Sequence, residues 1–234
     1  MKSILFFLML ALPHLCYGQS FSGSIGYEET DLNTINPNRM LLRTKSALAY
    51  GTKGSPYVFQ DFKKGNVYYS NLQRISGISL NYDCHGNRLE YLSDGSVYLL
   101  NTAQVDFFEV DPGEDSSRLF QQVFVEHLKK RIFLQVLYND STILYKRYYK
   151  DFKEADYGGA YSQDRRYDEY QDRYSYYVKR TDTALQQLRP RKKSILEVLA
   201  DRSEEIENFI KQEKTDLRTD DGLVRLIRFY DGLD

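Results

Sequence analysis

The chain has 234 residues, with 32 basic and 33 acidic side chains and a formal charge of −1. That balance lacks the basic excess that marks nucleic-acid binders, so no nucleic-acid partner is expected. Tyrosine is abundant at 21 residues while tryptophan is absent. Tyrosine suits a half-buried pleated surface, ring on apolar neighbours and hydroxyl in water, so its abundance indicates β-structure without identifying a binding face.

Residues 1–18 read as an export signal. Lys2 is a short positive region, Ile4 to Leu12 is apolar, and Cys16-Tyr17-Gly18 places small residues at the −3 and −1 positions of a cleavage site. Pro13 and His14 interrupt the run well short of the roughly 20 apolar residues that a membrane span needs. A lipidated Cys16 is disfavoured by His14-Leu15, which stand where a lipobox has small residues. The expectation is cleavage after Gly18, delivery to the periplasm or cell surface, and no transmembrane span afterwards, with peripheral membrane contact left open. Cleavage removes Cys16 and leaves Cys84, free or paired between molecules, so no internal disulfide supports the mature core.

Residues 19–53 read as an irregular polar lead-in, with Asn33, Asn36 and Asn38 around Pro37 and room for one strand or a helical turn near Met40 to Tyr50. Residues 54–189 carry short runs of Val, Ile, Tyr, Phe and Leu separated by turn residues at intervals of about ten, the pattern of an antiparallel β domain. Strands are predicted at 57–62, 66–71, 78–82, 88–92, 97–100, 105–110, 120–127, 132–139 and 142–149. Lys63-Lys64-Gly65, Asp83-Cys84-His85-Gly86, Asp94-Gly95 and Asn139-Asp140 are the predicted turns, with Gly86 and Gly95 able to take positive φ. Ile78, Leu80 and Tyr82 alternate onto one buried face, whereas 132–137 is apolar at nearly every position and reads as a strand covered on both sides.

Residues 151–173 are rich in Tyr, Arg and Asp and include Gly158-Gly159, which predicts a long exposed loop between strands. Segments 174–179 and 184–188 then return to the sheet. Residues 190–234 read as helices. Ile195, Leu196, Val198 and Leu199 form one apolar face; Asp201 and Glu204 suggest a capping box before Ile206, Phe209 and Ile210. Thr219 caps a last helix that buries Leu223, Leu226, Ile227 and Tyr230 and stops at Gly232. The expected fold class is α+β: an antiparallel β-meander, as a curved sheet or partly open barrel, followed by a C-terminal cluster of about three short helices packed on it.

Gly54-Ser55-Pro56-Tyr57, Phe62 and Gly65, followed by Leu80-Asn81-Tyr82-Asp83 and Leu89-Glu90-Tyr91, resemble a group of uncharacterised exported proteins of Bacteroidetes-type bacteria. Phe209-Ile210-Lys211 and Phe229-Tyr230-Asp231-Gly232-Leu233 look like the same group's ending. The resemblance covers most of the mature chain and implies an envelope location. It implies no catalytic residue.

Cys84-His85 pairs a thiol with an imidazole, but neighbours in a turn do not make a nucleophile–base pair. Asp83, Cys84, His85 and the distant His127 fall short of a structural zinc set. Aligning Gly222 with the invariant glycine of a calcium loop puts Leu217 and Arg228 at ligand positions, which excludes that motif. No cofactor, metal site or catalytic residue is therefore assigned, and an enzyme is disfavoured. The candidate partner-binding residues are Tyr161, Arg165, Arg166, Tyr167, Tyr170 and Arg173, since tyrosine and arginine are favoured at binding hot spots. Arg189, Arg191, Lys192 and Lys193 form a candidate basic contact for anionic headgroups or an acidic partner. The expected function is an exported non-enzymatic cell-envelope protein that binds a protein or surface component. A periplasmic carrier of a lipid or other hydrophobic ligand is the alternative, and a glycan-acting hydrolase is third.

Overall fold

Thirteen strands join into one sheet in the computed structural model, which describes residues 26–35, 40–41, 51–111, 113, 117–155, 167–181 and 183–233. They are β1 (Glu28–Glu29), β2 (Met40–Leu41), β3 (Thr52–Lys53), β4 (Lys63–Tyr69), β5 (Gln73–Asp83), β6 (Arg88–Ser93), β7 (Ser96–Leu99), β8 (Val105–Asp111), β9 (Arg118–Val125), β10 (Lys130–Asn139), β11 (Thr142–Lys153), β12 (Asp168–Arg180) and β13 (Gln186–Leu188). A short α1 (Leu32–Ile35) precedes the main sheet, and α2 (Lys192–Val198), α3 (Ser203–Glu213) and α4 (Asp220–Asp231) follow it. The expected signal segment and most of the expected turn near Met40 to Tyr50 lie outside the described residues. Among those described, no helix is long and apolar enough to cross a membrane.

The spatial order is β13, β12, β11, β10, β9, β8, β4, β5, β6, β7, β2. The meander is not purely antiparallel, because the lead-in contributes two parallel pairings: β1 beside β5 and β3 beside β12. Its residues, expected to be irregular, extend the sheet by covering edges that β6 and β13 are too short to reach.

Three further readings are corrected. Lys63-Lys64-Gly65 is not a turn but the start of β4, and Gly65 is required there because a Cβ would lie 2.2 Å from the Glu109 carbonyl oxygen of β8. Residues 57–62 form no strand: Tyr57 makes one bridge to Asp83, and Phe59 then sinks into the core, where Asn81 donates to its carbonyl at 3.0 Å. In the β5–β6 turn the left-handed conformation falls on Asn87, at φ 54°, rather than on Gly86, whereas Asp94 and Gly95 both take positive φ as a tight hairpin demands.

The sheet curls until β5 meets β10, with the Tyr82 ring edge-on to Phe133 at 5.5 Å. Phe108 stacks on Phe120 at 4.8 Å and meets Phe133 at 5.0 Å, so rings fill the concave interior. Each such fully buried side chain contributes about 1.5–3 kcal/mol of burial free energy. Further along the sheet Leu144, Tyr176, Val178 and Leu188 form a second buried cluster with Ile195, Leu199, Ile206, Leu223, Leu226, Ile227 and Tyr230 of the C-terminal section. The strand read as covered on both sides is β10: Phe133 joins the interior cluster, while Ile132 and Leu134 join a third cluster with Val125, Tyr145 and Tyr177.

Polar pins fix the helices to the sheet. Asp220, in the first turn of α4, accepts from the Tyr176 hydroxyl at 2.6 Å and from Lys146 Nζ at 2.7 Å. A carboxylate at that end also suits the helix dipole. The Thr219 cap is present, its Oγ1 accepting from the Gly222 amide at 3.1 Å. The expected capping box is absent: α3 begins at Ser203 without a side-chain cap, and Asp201 points elsewhere.

Candidate functional site

The long hairpin of β11 and β12 extends into the segment expected to be loop. Its register runs unbroken from Thr142 opposite Arg180 to Lys153 opposite Glu169. Residues 151–153 and 168–173 are therefore strand. Of the candidate partner-binding residues, Tyr161, Arg165 and Arg166 lie outside the described residues. Tyr170 and Arg173 sit on β12 at positions of opposite parity, so they project from opposite faces of the sheet and cannot act on one contact. Tyr167 lies just before the strand, with Lys53 Nζ 3.7 Å above its ring. Arg173 pairs with Asp151 at 3.0 Å.

Tyr170 belongs to a different grouping. It stands directly opposite Phe152, ring centroids 4.7 Å apart, and the β5–β6 turn brings His85 edge-on to it at 5.3 Å. His85 Nδ1 lies 3.4 Å from the Lys150 carbonyl. A carbonyl only accepts, so in this contact Nδ1 carries the proton. Gly54, at φ +73°, lets the chain after β3 pass against this platform: a Cβ there would lie 2.5 Å from the Tyr170 carbonyl oxygen. Phe152 remains 38% exposed and His85 is exposed, so the three rings form a surface patch. Beside it Lys150 pairs with Asp172. Burial raises the Tyr170 hydroxyl above its ordinary pKa, and the Asp83 charge adds to this while Arg88 opposes it.

Beneath the patch lies a buried ionic knot. Asp83 and Glu90 are each about 1% exposed. Arg88 donates to Asp83 at 2.5 Å and to Glu90 at 3.2 Å; the Gly86 amide also donates to Asp83, and the Tyr57 hydroxyl donates to Glu90 at 2.7 Å. Burial raises the Glu90 pKa, against the Tyr57 hydrogen bond and the Arg88 charge. The two carboxylates share one guanidinium, an arrangement that braces the hairpin under His85 rather than facing a substrate across a cleft.

Cys84 is buried and its Sγ donates to the Pro56 carbonyl at 3.4 Å. Burial pushes its pKa up to about 12, which removes the thiolate needed for reactivity. The turn read from the sequence at Cys84-His85 is present, with the thiol turned into the core and the imidazole turned out. Among the described residues no group of three or more His, Cys, Asp or Glu could hold a metal ion.

The basic run is exposed at all four positions, Arg189, Arg191, Lys192 and Lys193. Lys192 pairs with Glu207 at 2.7 Å, and Lys193 approaches Glu197 only at 4.0 Å. Sequence reasoning missed His85 and Phe152 as neighbours of Tyr170. Extending the β11–β12 register toward 153 and 169 is the step that would have placed Phe152 opposite Tyr170. No family model, curated protein or solved structure matches this chain.

Proposed function

We propose that the protein is an exported, non-enzymatic component of the cell envelope that binds a protein or surface component through the His85, Phe152 and Tyr170 patch. The observation that carries this reading is the assembly of these rings from positions far apart in the chain into one exposed surface. Exposed aromatic groups set among paired charges have the composition of binding hot spots. The carrier reading has less support, because packed rings occupy the interior of the curl. The hydrolase reading has less support too, since Asp83 and Glu90 are both committed to Arg88.

Affinity capture from envelope extracts, read by native mass spectrometry, tests the proposal. The wild-type protein should hold a stoichiometric partner that the Phe152→Ala, Tyr170→Ala double variant releases while keeping its circular dichroism spectrum. A co-purifying lipid in place of that partner, or capture unchanged in the variant, would overturn it.

A further inference from the structure

β12 is thirteen residues long, and its outer edge is only partly covered. β3 pairs with Asp168 and Glu169, and β13 pairs with Tyr176, Tyr177 and Val178. Among the described residues, positions 170–175 thus have a strand neighbour on the β11 side alone. The gap spans about 20 Å at roughly 3.4 Å per residue, the length of an ordinary strand. Strand backbone groups alternate in direction, so part of this stretch presents N–H and C=O groups outward, with the Tyr170 carbonyl against Gly54 and the Asp172 carbonyl accepting from Arg173 Nη1 at 3.2 Å.

Both neighbouring strands stop for local reasons. Gly54 turns the chain away at Tyr170, and Pro190, which has no N–H, follows β13. The Arg189 amide donates to Ser194 Oγ instead of continuing the ladder. The register against β11 shows no bulge and the segment contains no proline, and its two charges, Asp172 and Arg173, are already paired with Lys150 and Asp151 of β11. Asp172 and Tyr174 are exposed, and the Asp172 charge is already met by Lys150.

Charge identifies the occupant. The exposed basic run 189–193 stands at the 175 end of the gap, while Lys53 at the other end is flanked on β12 by Asp168 and Glu169. Arg189 and Arg191 are exposed without an ion-pair partner among the described residues. We propose that the 170–175 edge takes up an extended acidic peptide segment of a protein partner as an added strand, joining β3 to β13 in one continuous edge. The proposal rests on the partner-binding reading and specifies the chemistry of the partner.

Amide hydrogen exchange on the purified protein tests it, using a synthetic eight-residue peptide that alternates glutamate with valine or threonine. A peptide of the same pattern with lysine for glutamate is the control. The acidic peptide should slow exchange within 170–175 by about tenfold at saturation. Its affinity should fall by about tenfold in the Arg189→Glu, Arg191→Glu variant and decline with added salt. Unchanged exchange at millimolar acidic peptide, equal protection by the lysine peptide, or protection that grows with protein concentration alone would each overturn the proposal, the last by assigning the edge to a second copy. The synthetic probe makes the result independent of the native partner. Partner loss on mutating Phe152 and Tyr170 without amide protection would retain the aromatic patch as a binding surface and remove the edge.

Discussion

Asp201 accepts a 2.7 Å hydrogen bond from the Tyr230 hydroxyl, tying the entry to α3 to the end of α4. Arg180 of β12 completes the contact, donating to Asp201 at 2.8 Å and to the Tyr230 oxygen at 2.7 Å. Burial pushes the Asp201 carboxyl up, but the hydrogen bonds from Tyr230, its own backbone and Arg180 outweigh it and hold the carboxyl below its ordinary range. A depressed carboxylate stabilises the fold above its unfolded pKa of about 3.9, and this contribution is lost as pH falls below that value. Tyr230→Phe should therefore cost about 1 kcal/mol in urea unfolding at neutral pH. The cost should shrink near pH 3; an equal cost at both would assign it to packing.

Removing Arg88 leaves Asp83 and Glu90 buried without their cation. Arg88→Ala should destabilise by about 3 kcal/mol at neutral pH, the lower end for a broken buried pair because its own side chain is half exposed and water can enter. The sign with pH follows from Glu90, whose pKa is raised by burial even with Arg88 present. The folded state then keeps the Glu90 proton to higher pH than the unfolded chain does, so stability falls as pH rises above about 4.3. Urea unfolding of the variant should show a larger loss near pH 8 than near pH 5, and a flat difference would show that Glu90 does not carry it.

The hairpin of Asp94 and Gly95 and the last helix from Thr219 to Gly232 were legible because their signals are local: a two-residue turn, a cap and a helical stripe. The ends of β11 and β12 were not. Lys150, Asp151, Asp172 and Arg173 satisfy one another across the hairpin, so both faces are polar there and the sequence reads as loop. Gly65 looked like a turn residue although its role is to admit a neighbouring backbone, a contact that exists only after β8 is in place. Asp201 had the spacing of a cap, yet a residue 29 positions away holds it. The same limit hid the platform, since the link from His85 to Tyr170 depends on the sheet's curl rather than on any spacing.

Cys84 should resist alkylation in the folded protein. Its pKa of about 12 leaves almost no thiolate at pH 8, and its side chain is 7% exposed in contact with the Pro56 carbonyl. Iodoacetamide labelling followed by mass spectrometry should proceed at least about 100-fold faster in urea than in buffer. Rapid labelling of the native protein would instead show that the turn opens readily.

Glu207 is held between Lys192 at 2.7 Å and Lys211 at 2.8 Å, and hydrogen bonds from these two ammonium groups lower its pKa to about 2. Its contribution is present above the ordinary glutamate value and is lost as pH falls from there toward 2. Lys192→Ala should return the Glu207 titration toward its ordinary range, as followed by carboxyl carbon NMR. A titration that stays put would mean Lys211 alone sets it.

Gly222 sits in the first turn of α4, where helix propensity favours alanine over glycine by about 1 kcal/mol. The structure predicts the opposite outcome. A Cβ at this position would lie 1.9 Å from the Asp216 carbonyl oxygen and 3.0 Å from Thr219 Oγ1, so the loop before the helix would have to move and weaken the cap. That shift would also disturb Asp220, which anchors the helix to Tyr176 and Lys146. Gly222→Ala should cost about 2 kcal/mol in urea unfolding, from overpacking and a weakened cap together. Thr219→Ala should cost about 1 kcal/mol, and the double variant should lose less than the two single losses combined, because both act through one turn. A stabilised Gly222→Ala variant would show that the 216–219 loop yields without loss and that α4 docks independently of it.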